Sequence, residues 1–305
     1  MNKHFSLAIL IFIALIVLYS SINYTNSYIY LNVRLPRLLL TILAGMILSG
    51  TGSVFQILLN NPLAEPYILG VSSGAALGSI IAGLVGAFIL APLFGFVGAL
   101  ISIIVVWALS SRNGYLDKTK LLFSGIIFGM FVSAIISFLM YIFQKDVGLI
   151  LQVLMGNLGH IFYTTEWVIF LVSMAISIIL LFYLYMQSNA LNIMTTGDEA
   201  AQSIGVDVKK LRLRIFIVGS LLTGVSVAYA GIIGFIGLII PHFVRLLVSS
   251  DQKKVFPLSV VYGANFLLFC DLIAFNLTVV EFPVGIITSF IGCPIFLYLL
   301  LIRRK

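Results

Sequence analysis

The acidic residue with the clearest potential for chemistry is Asp271, because it is the only acid well inside an apolar segment. Charges within membrane-spanning segments are costly and usually serve a function, so this carboxylate could carry a proton or a coupling ion. It lies six residues from the end of its segment, roughly 9 Å along a helix, which fits a hydrated position near the membrane surface equally well. The sequence leaves both interpretations open.

A serine-hydrolase pattern occurs at Gly70–Gly74, which reads G-V-S-S-G and matches G-x-S-x-G. That motif needs a strand before the serine and a base within reach. Ser72 instead follows a proline-rich turn and precedes a segment with a small residue at every fourth position, and the only histidine in an apolar segment is His242. The small-residue pattern is typical of close helix packing in lipid. We therefore predict no catalytic residue.

Nucleotide and metal sites are also absent from the sequence. His242 and Arg245 are three residues apart, but no further ligands stand near them, so we predict a structural role and no metal site. The phosphate-binding pattern G-x-x-x-x-G-K-[ST] does not occur. We therefore predict no cofactor in this chain. If ATP drives its activity, another subunit must bind the nucleotide and its Mg²⁺.

Two arginines, Arg34 and Arg37, stand together at the start of an apolar segment, in R-L-P-R. They could be interfacial anchors whose side chains reach the lipid head groups. The interpretation that we favour is a cationic handle for an acidic partner, because guanidinium groups make directional contacts with carboxylates.

The most polar stretch of the chain is 187–214, which is too charged to cross a bilayer. Thr195 and Thr196 could cap a helix that begins near Gly197, and Gly205 could end it, since glycine adopts the left-handed geometry at little cost. A second short amphipathic turn is expected after Gly205. This pattern predicts a docking surface between two membrane spans.

These residues must be positioned by membrane helices, because 61% of the 305 residues are apolar and only 9% are charged. The composition predicts an all-α polytopic membrane protein with a single domain, 1–305. A spanning helix needs about 20 apolar residues. We predict ten spans, at 5–22, 38–59, 67–86, 92–110, 121–143, 167–186, 215–233, 234–248, 256–277 and 284–302.

The positive charges support this topology. With both termini in the cytoplasm, only Arg34, Arg37 and Lys145 of the 17 bases lie outside, and the other fourteen, including Arg303–Lys305, lie inside. Omitting the short eighth span destroys this asymmetry, so the ten-span arrangement is favoured. The net charge of +7 is thus a topology signal, and we predict no nucleic-acid partner.

Two segments are expected to depart from simple spans. The apolar stretch 148–159 is too short to cross and predicts an interfacial or re-entrant helix, followed by a solvated His160. Gly231–Gly234 predicts a tight turn, and Pro241 predicts a break or kink shortly after it. Cys270 and Cys293 lie in apolar segments, which favours packing roles over a disulfide.

Taken in order, five motifs of the chain resemble the FecCD-type permeases of ABC importers for iron–siderophores, haem and cobalamin. They are R-L-P-R-L-L-L at 34–40, N-P-L-A-E-P-Y-I-L-G-V-S-S-G-A-A-L-G at 61–78, G-D-E-A-A-Q-S-I-G-V at 197–206, G-F-I-G-L-I-I-P-H-F-V-R-L-L at 234–247 and E-F-P-V-G-I-I-T-S-F-I-G-C-P-I-F-L-Y-L-L at 281–300. The resemblance covers nearly the whole chain from Arg34. It implies the ten-span type II ABC importer permease fold and a homodimer in the cell membrane.

The resemblance also implies partners and sites. Two cytoplasmic ATPase subunits would dock on the coupling helices, which map onto Gly197, Asp198, Glu199, Ala200, Ala201 and Gly205. An extracytoplasmic binding protein would dock on Arg34 and Arg37. A cytoplasmic gate would include Asn61, Leu63, Lys118 and Thr119. Some relatives carry a further arginine where this chain has Phe275, so docking would depend more heavily on the first two arginines.

The function implied is that of a permease subunit, not an enzyme, which moves an iron–siderophore, haem or cobalamin by alternating access. The alternative is a stand-alone secondary transporter coupled through Asp271. The ligand itself does not follow from the sequence, because permeases for all three classes share these motifs.

Overall fold

The computed structural model describes residues 2–21, 29–112, 115–159, 164–277 and 282–302. Within these ranges the chain is almost entirely helical, and the strands found there are the two-residue pair β1, Ser111–Arg112, and β2, Tyr115–Leu116. The expected all-α class is therefore confirmed. His160, Glu281 and Arg303–Lys305 lie outside the described residues.

The α-helices of the described ranges are numbered in chain order. The first six are α1 Asn2–Ser21, α2 Leu35–Leu58, α3 Val71–Leu84, α4 Ala91–Ser110, α5 Lys118–Ile142 and α6 Val147–Met155. The remaining ones are α7 Thr164–Met186, α8 Ser188–Met194, α9 Asp198–Ser203, α10 Val208–Ala230, α11 Ile236–Leu247, α12 Gln252–Leu277 and α13 Val284–Ile302.

Seven helices in the described part of the chain are long and apolar enough to cross a membrane, namely α1, α2, α4, α5, α7, α10 and α12. The other three predicted spans are occupied by the shorter apolar helices α3, α11 and α13. Each predicted span thus coincides with an apolar helix, although several boundaries differ. The largest shift is in α10, which begins at Val208 instead of residue 215 because its amphipathic first turns continue the helix.

Helix α2 lies at the centre of the bundle and is almost completely enclosed by other helices. It meets two neighbours through glycine: Gly45 faces Gly263 of α12, and Gly52 faces Gly237 of α11. A methyl group at Gly45 would lie 2.5 Å from the Gly263 carbonyl oxygen. Glycine at these positions lets the backbones touch, which is how helices gain van der Waals contact in lipid.

The small-residue stripe of α3 has the packing role that its spacing predicts. Gly74 and Gly78 face the backbone of α4 at Gly98 and Phe94, and Gly70, which precedes α3, faces Gly125 of α5. Gly86 of the same stripe has no neighbour within 4 Å, because α3 ends at Leu84 and Gly86 follows it with φ of 76°.

Pro241 was expected to break or kink its segment, yet α11 continues through it. A proline inside a helix leaves the carbonyl four residues earlier without its usual donor. Here the Gln56 side-chain amide of α2 donates to that carbonyl, Gly237 O, at 3.2 Å, and to Leu238 O at the same distance. A side chain from a neighbouring helix therefore satisfies the group that the proline frees.

The segment 231–235 is held by other elements instead of closing as a turn by itself. Ile232 N donates to Val153 O of α6 at 2.9 Å, and Ile233 N donates to the Tyr67 hydroxyl at 2.8 Å. Phe235 N donates to the Glu65 carboxylate at 3.2 Å. Helix α6 itself confirms that 148–159 contains a helix too short to cross.

We predict that Gly45→Ala destabilises the protein by about 1–3 kcal/mol, because the added methyl group overpacks the contact with Gly263. Gly148→Ala is the matched control, since nothing lies within 4 Å of a methyl group there and alanine is the better helix former. Thermal melting of both variants in detergent measures the difference. Equal melting temperatures would contradict the glycine-contact interpretation of α2.

Candidate functional site

The polar stretch 187–214 folds into α8, α9 and the first turns of α10. The two glycines at its corners have positive φ, 114° at Gly197 and 94° at Gly205, which is the left-handed region that other residues rarely adopt. The predicted start near Gly197 and end near Gly205 are therefore confirmed for α9. Its surface is exposed at Glu199, Ala200 and Ile204, whereas Ala201 is buried.

The predicted capping residues of α9 are wrong. The Thr195 and Thr196 hydroxyls donate backwards to the carbonyls of Asn192 and Ile193, at 2.6 and 2.8 Å, and so complete the end of α8. Gly197 precedes α9 without a side-chain cap. The two threonines were misassigned because the sequence does not reveal the short helix before them, whose carbonyls they satisfy.

The second expected turn is instead the beginning of α10. The Asp207 carboxylate accepts from Lys210 N at 3.0 Å and caps this long helix. The same backbone donor, together with the Lys210 ammonium, lowers the pKa of Asp207 below its usual value. The second amphipathic turn and the apolar helix after it are therefore one continuous helix, α10.

Helix α8 is fastened to the start of α12 through Asn192. The side-chain NH2 group of Asn192 donates to the Asp251 carboxylate at 2.7 Å, and its side-chain oxygen accepts from Gln252 N at 2.7 Å. The amide donor lowers the pKa of the Asp251 carboxyl. Gln252 in turn donates to the Ser53 hydroxyl of α2 at 3.0 Å.

Arg212 is a residue whose role the sequence reasoning missed. Its guanidinium donates to Asp198, the first residue of α9, at 2.8 Å and to the Leu116 carbonyl of β2 at 3.0 Å. Lys118, the first residue of α5, lies 3.6 Å from the same carboxylate. Arg212 is only 1% exposed. A predicted coupling residue and a predicted gate residue therefore meet in one ionic cluster.

A signal for Arg212 does exist in the sequence. The buried face of the first turns of α10 follows the spacing i, i+3, i+4, i+7, i+8, and its members are Val208, Leu211, Arg212, Ile215 and Phe216. An arginine on the apolar face of an amphipathic helix must find a partner, because an unpaired buried charge is costly.

The predicted gate residues occupy two separate places. The Asn61 side chain accepts from Leu63 N at 2.9 Å and so stabilises a turn in which Leu63 is 45% exposed. Within the described residues no hydrogen bond or ion pair joins this turn to Lys118 or Thr119. The turn borders a cavity of about 360 Å³ that also touches Thr195, His242 and Arg245.

His242 and Arg245 of α11 contact neighbouring helices, as a structural role predicts. Arg245 donates to the Gln56 side-chain oxygen and, at 3.1 Å, to Ser53 O, both on α2. The His242 ring is buried edge-on to Phe296 of α13, with ring centroids 6.3 Å apart. Among the described residues no group of three metal-binding side chains occurs.

Arg37 and Asp271 form a buried ion pair between α2 and α12. The guanidinium contacts both carboxylate oxygens, at 2.7 Å from NH2 and 3.0 Å from Nε, and the side chains are 5% and 0% exposed. Tyr19 of α1 donates its hydroxyl to Asp271 at 2.8 Å, and Thr41 lies 3.4 Å from it. Asp271 therefore accepts from two helices, α1 and α2, and joins them to its own helix, α12.

Arg34 is placed one turn before Arg37 and closer to the end of the bundle. Both guanidinium groups lie over the Phe275 ring, 5.6 and 5.0 Å from its centroid. A cation over an aromatic face is attracted to it. Phe275, the residue that departs from the related pattern, thus helps to position both arginines.

Ser72 does not lie in a nucleophile elbow. It is the second residue of α3 and follows a 3-10 turn, Pro66–Leu69, instead of a strand. Its hydroxyl is buried and has no hydrogen-bond partner among the described residues. The hydrolase pattern therefore has neither the backbone nor the base that its chemistry needs.

A wide cavity of about 690 Å³ opens beside segment 231–235. Its wall is mainly apolar and includes Met155, Ile232 and Phe290, with Glu65 and Ser289 as polar members. Phe290 of α13 is 80% exposed. Such a surface offers few groups that could hold a ligand tightly.

The chain is similar in sequence to known proteins. A sequence profile of the FecCD transport family matches residues 5–302. The chain is 37% identical to the hemin transport system permease protein of Yersinia pestis, over 94% of this chain and 87% of that protein. It is 36% identical to the cobalamin import system permease protein of Halobacterium salinarum, over 90% of this chain and 74% of that protein.

The fold is also similar to that of a solved structure. This is an inward-facing transporter that is assigned to the metal-chelate type of ABC transporter, and the match has a TM-score of 0.86 and 28% sequence identity. The match covers 98% of this chain and 99% of the other. The similarity therefore extends over the complete bundle.

We predict that Arg37→Ala lowers the stability of the protein by about 3–5 kcal/mol, because it leaves the Asp271 carboxylate buried without its cation. Replacing both partners, with Arg37→Met and Asp271→Leu, should recover most of this loss, since no buried charge remains. Lys145→Ala is the control, because Lys145 is an exposed base. Thermal melting in detergent checks all three, and an unchanged melting temperature for Arg37→Ala would refute a stabilising pair.

Proposed function

The chain belongs to the FecCD transport family, and from this premise we propose that it is the permease subunit of an ATP-driven ABC importer. The cargo would be an iron–siderophore, haem or cobalamin. The observation that carries the proposal is the similarity over the complete bundle to an ABC transporter of the metal-chelate type. The relatives named for hemin and cobalamin support the cargo classes.

The proposed coupling surface is α9 with its two flanking glycines. It comprises Gly197, Asp198, Glu199, Ala200, Ala201 and Gly205. The short helix projects between α8 and α10 with one side exposed and one side anchored through Ala201 and Asp198. That geometry suits a rigid projection that a separate ATPase subunit binds. ATP and Mg²⁺ would be bound in that subunit, and this chain would need no cofactor.

We propose that the permease is a homodimer in the cell membrane, with ten spans and both termini in the cytoplasm. An extracytoplasmic binding protein would dock on Arg34 and Arg37 of both copies. Arg37 is buried against Asp271 whereas Arg34 is only partly buried, so we expect Arg34 to make the first contact with acidic groups of the binding protein. Arg37 and Phe275 would then hold that region in place.

Transport would proceed by alternating access. Asn61 and Leu63, on the exposed turn between α2 and α3, are proposed as one part of the cytoplasmic gate, and Lys118 and Thr119, at the start of α5, as the other. The apolar cavity beside segment 231–235 is proposed to contact the cargo. Weak binding of the cargo by this cavity suits transport, because a cargo that is bound tightly is not released.

The alternative, a secondary transporter coupled through Asp271, is less well supported. A coupling carboxylate must be free to exchange a proton or an ion. Asp271 instead accepts from Arg37 and Tyr19 and is completely buried.

We predict that proteoliposomes containing this chain accumulate cargo only when a cognate ATPase, ATP and a binding protein are all present. Uptake that persists without the ATPase and collapses in Asp271→Asn would favour the secondary transporter instead. An ATPase variant that binds but does not hydrolyse ATP is the control for simple leakage.

We predict that Arg34→Glu weakens binding-protein docking by about tenfold or more at low salt, because it replaces attraction by repulsion, and that the effect shrinks as salt screens the charges. Lys145→Glu gives the same change of charge at another base that we place outside, and it should have a smaller effect. Surface plasmon resonance on nanodiscs measures both affinities. Equal affinity for wild type and Arg34→Glu would remove Arg34 from the docking site.

A further inference from the structure

The ionic cluster of Arg212, Asp198 and Lys118 joins three segments that are distant in sequence. Asp198 begins α9, Lys118 begins α5, and Arg212 lies in the second turn of α10. The Arg212–Asp198 distance is 2.8 Å and the arginine is buried. The Lys118–Asp198 distance is 3.6 Å, and the Lys118 side chain is 37% exposed. The arginine is therefore the stronger of the two links.

The shape of the guanidinium group explains why it can join two elements at once. One terminal nitrogen of Arg212 donates to Asp198 and the other to Leu116 O. A planar fork holds both acceptors at fixed angles, whereas an ammonium group is a single point charge on a flexible stem. The hairpin strand β2 and helix α9 are thereby fixed to the same side chain of α10.

The hairpin continues directly into α5. Leu116 is followed by Asp117, whose carboxylate accepts from Lys120 N at 2.8 Å and caps α5. A displacement of Leu116 therefore acts on the first turn of that helix.

Helix α5 in turn packs tightly against the segment that follows the Asn61 turn. A methyl group at Gly125 would lie 2.6 Å from the Ile68 carbonyl oxygen, and one at Gly70 would lie 2.7 Å from the Gly125 carbonyl oxygen. Backbones in such contact cannot slide independently, because interiors are close-packed. The path from α9 to the Asn61 turn is therefore continuous through Arg212, β2 and α5.

We propose that Arg212 is a positioning residue that makes α9 and the β2–α5 segment move together, so that displacement of α9 reaches the turn carrying Asn61. This inference depends on the proposed function, in which an ATPase moves α9. It adds a specific mechanical link: the ionic cluster ties α9 to the start of α5, which carries Lys118 and Thr119, and through α5 to the turn that carries Asn61.

The test uses the complete importer in proteoliposomes, with cargo uptake and ATP hydrolysis measured in the same sample. Arg212→Lys keeps the charge but loses the fork, and Asp198→Asn keeps an acceptor but loses the charge. For each variant we expect the cargo moved per ATP hydrolysed to fall by about fivefold or more. The double variant should be no worse than the worse single variant, because both changes break one link.

Lys118→Gln and Lys120→Gln form a matched pair, since both lysines lie in the first turn of α5 and only Lys118 reaches Asp198. The ratio should fall for Lys118→Gln, by less than for Arg212→Lys, and should not change for Lys120→Gln. If Arg212→Lys fails to fold, Asp198→Asn and the lysine pair still decide the question.

Two outcomes separate the claims. A wild-type importer that moves cargo without ATP would overturn the proposed function and this inference with it. A wild-type importer that is ATP-driven, with an unchanged ratio in Asp198→Asn and Arg212→Lys or with additive losses in the double variant, would overturn the inference alone.

Discussion

The constraint on which this structure depends is that backbone groups and charges buried in an apolar bundle need partners within the protein, because no water is there to satisfy them. Each irregular feature of the bundle answers that constraint. Pro241 frees a carbonyl, and Gln56 donates to it. The non-helical segment 231–235 has backbone amides outside any helix, and Tyr67, Glu65 and Val153 accept from them. The charge on Asp271 is balanced by Arg37.

The same constraint separates two kinds of charged site in the molecule. Arg37 and Asp271 lock α2 to α12 and hold α1 through Tyr19, so they stabilise a fixed part of the bundle. The cluster around Arg212 instead ties the short helix α9 and the strand β2 to the first turns of the long helices α5 and α10, beside exposed residues such as Ile204. A buried pair between long helices suits a permanent contact, whereas a pair that holds a short peripheral helix suits the proposed transmission of movement.

Much of the fold could be predicted from the sequence because membrane helices are specified by simple quantities. Apolar length located the helices, small residues at every fourth position located the close face of α3, and Gly197 and Gly205 located the ends of α9.

The failures of prediction have a different origin. Thr195 and Thr196 were assigned to the wrong helix because a threonine hydroxyl can serve the helix before or after it. The Arg37–Asp271 pair spans 234 positions in the chain, and no local pattern in one sequence reveals such a partner. Arg212 was detectable in principle, as an arginine on an apolar face, but only once α10 was known to begin at Val208.

The glycine contacts of α2 also determine which motions are open to the molecule. Successive residues of a helix are about 100° apart around its axis, so a rotation by only a fraction of that angle would turn Leu48 or Ser49 towards a neighbouring backbone that Gly45 or Gly52 now faces. Rotation of α2 about its axis is therefore blocked by α11 and α12, and these three helices form one rigid unit. Any rearrangement that opens or closes a passage must be carried by elements outside these three helices.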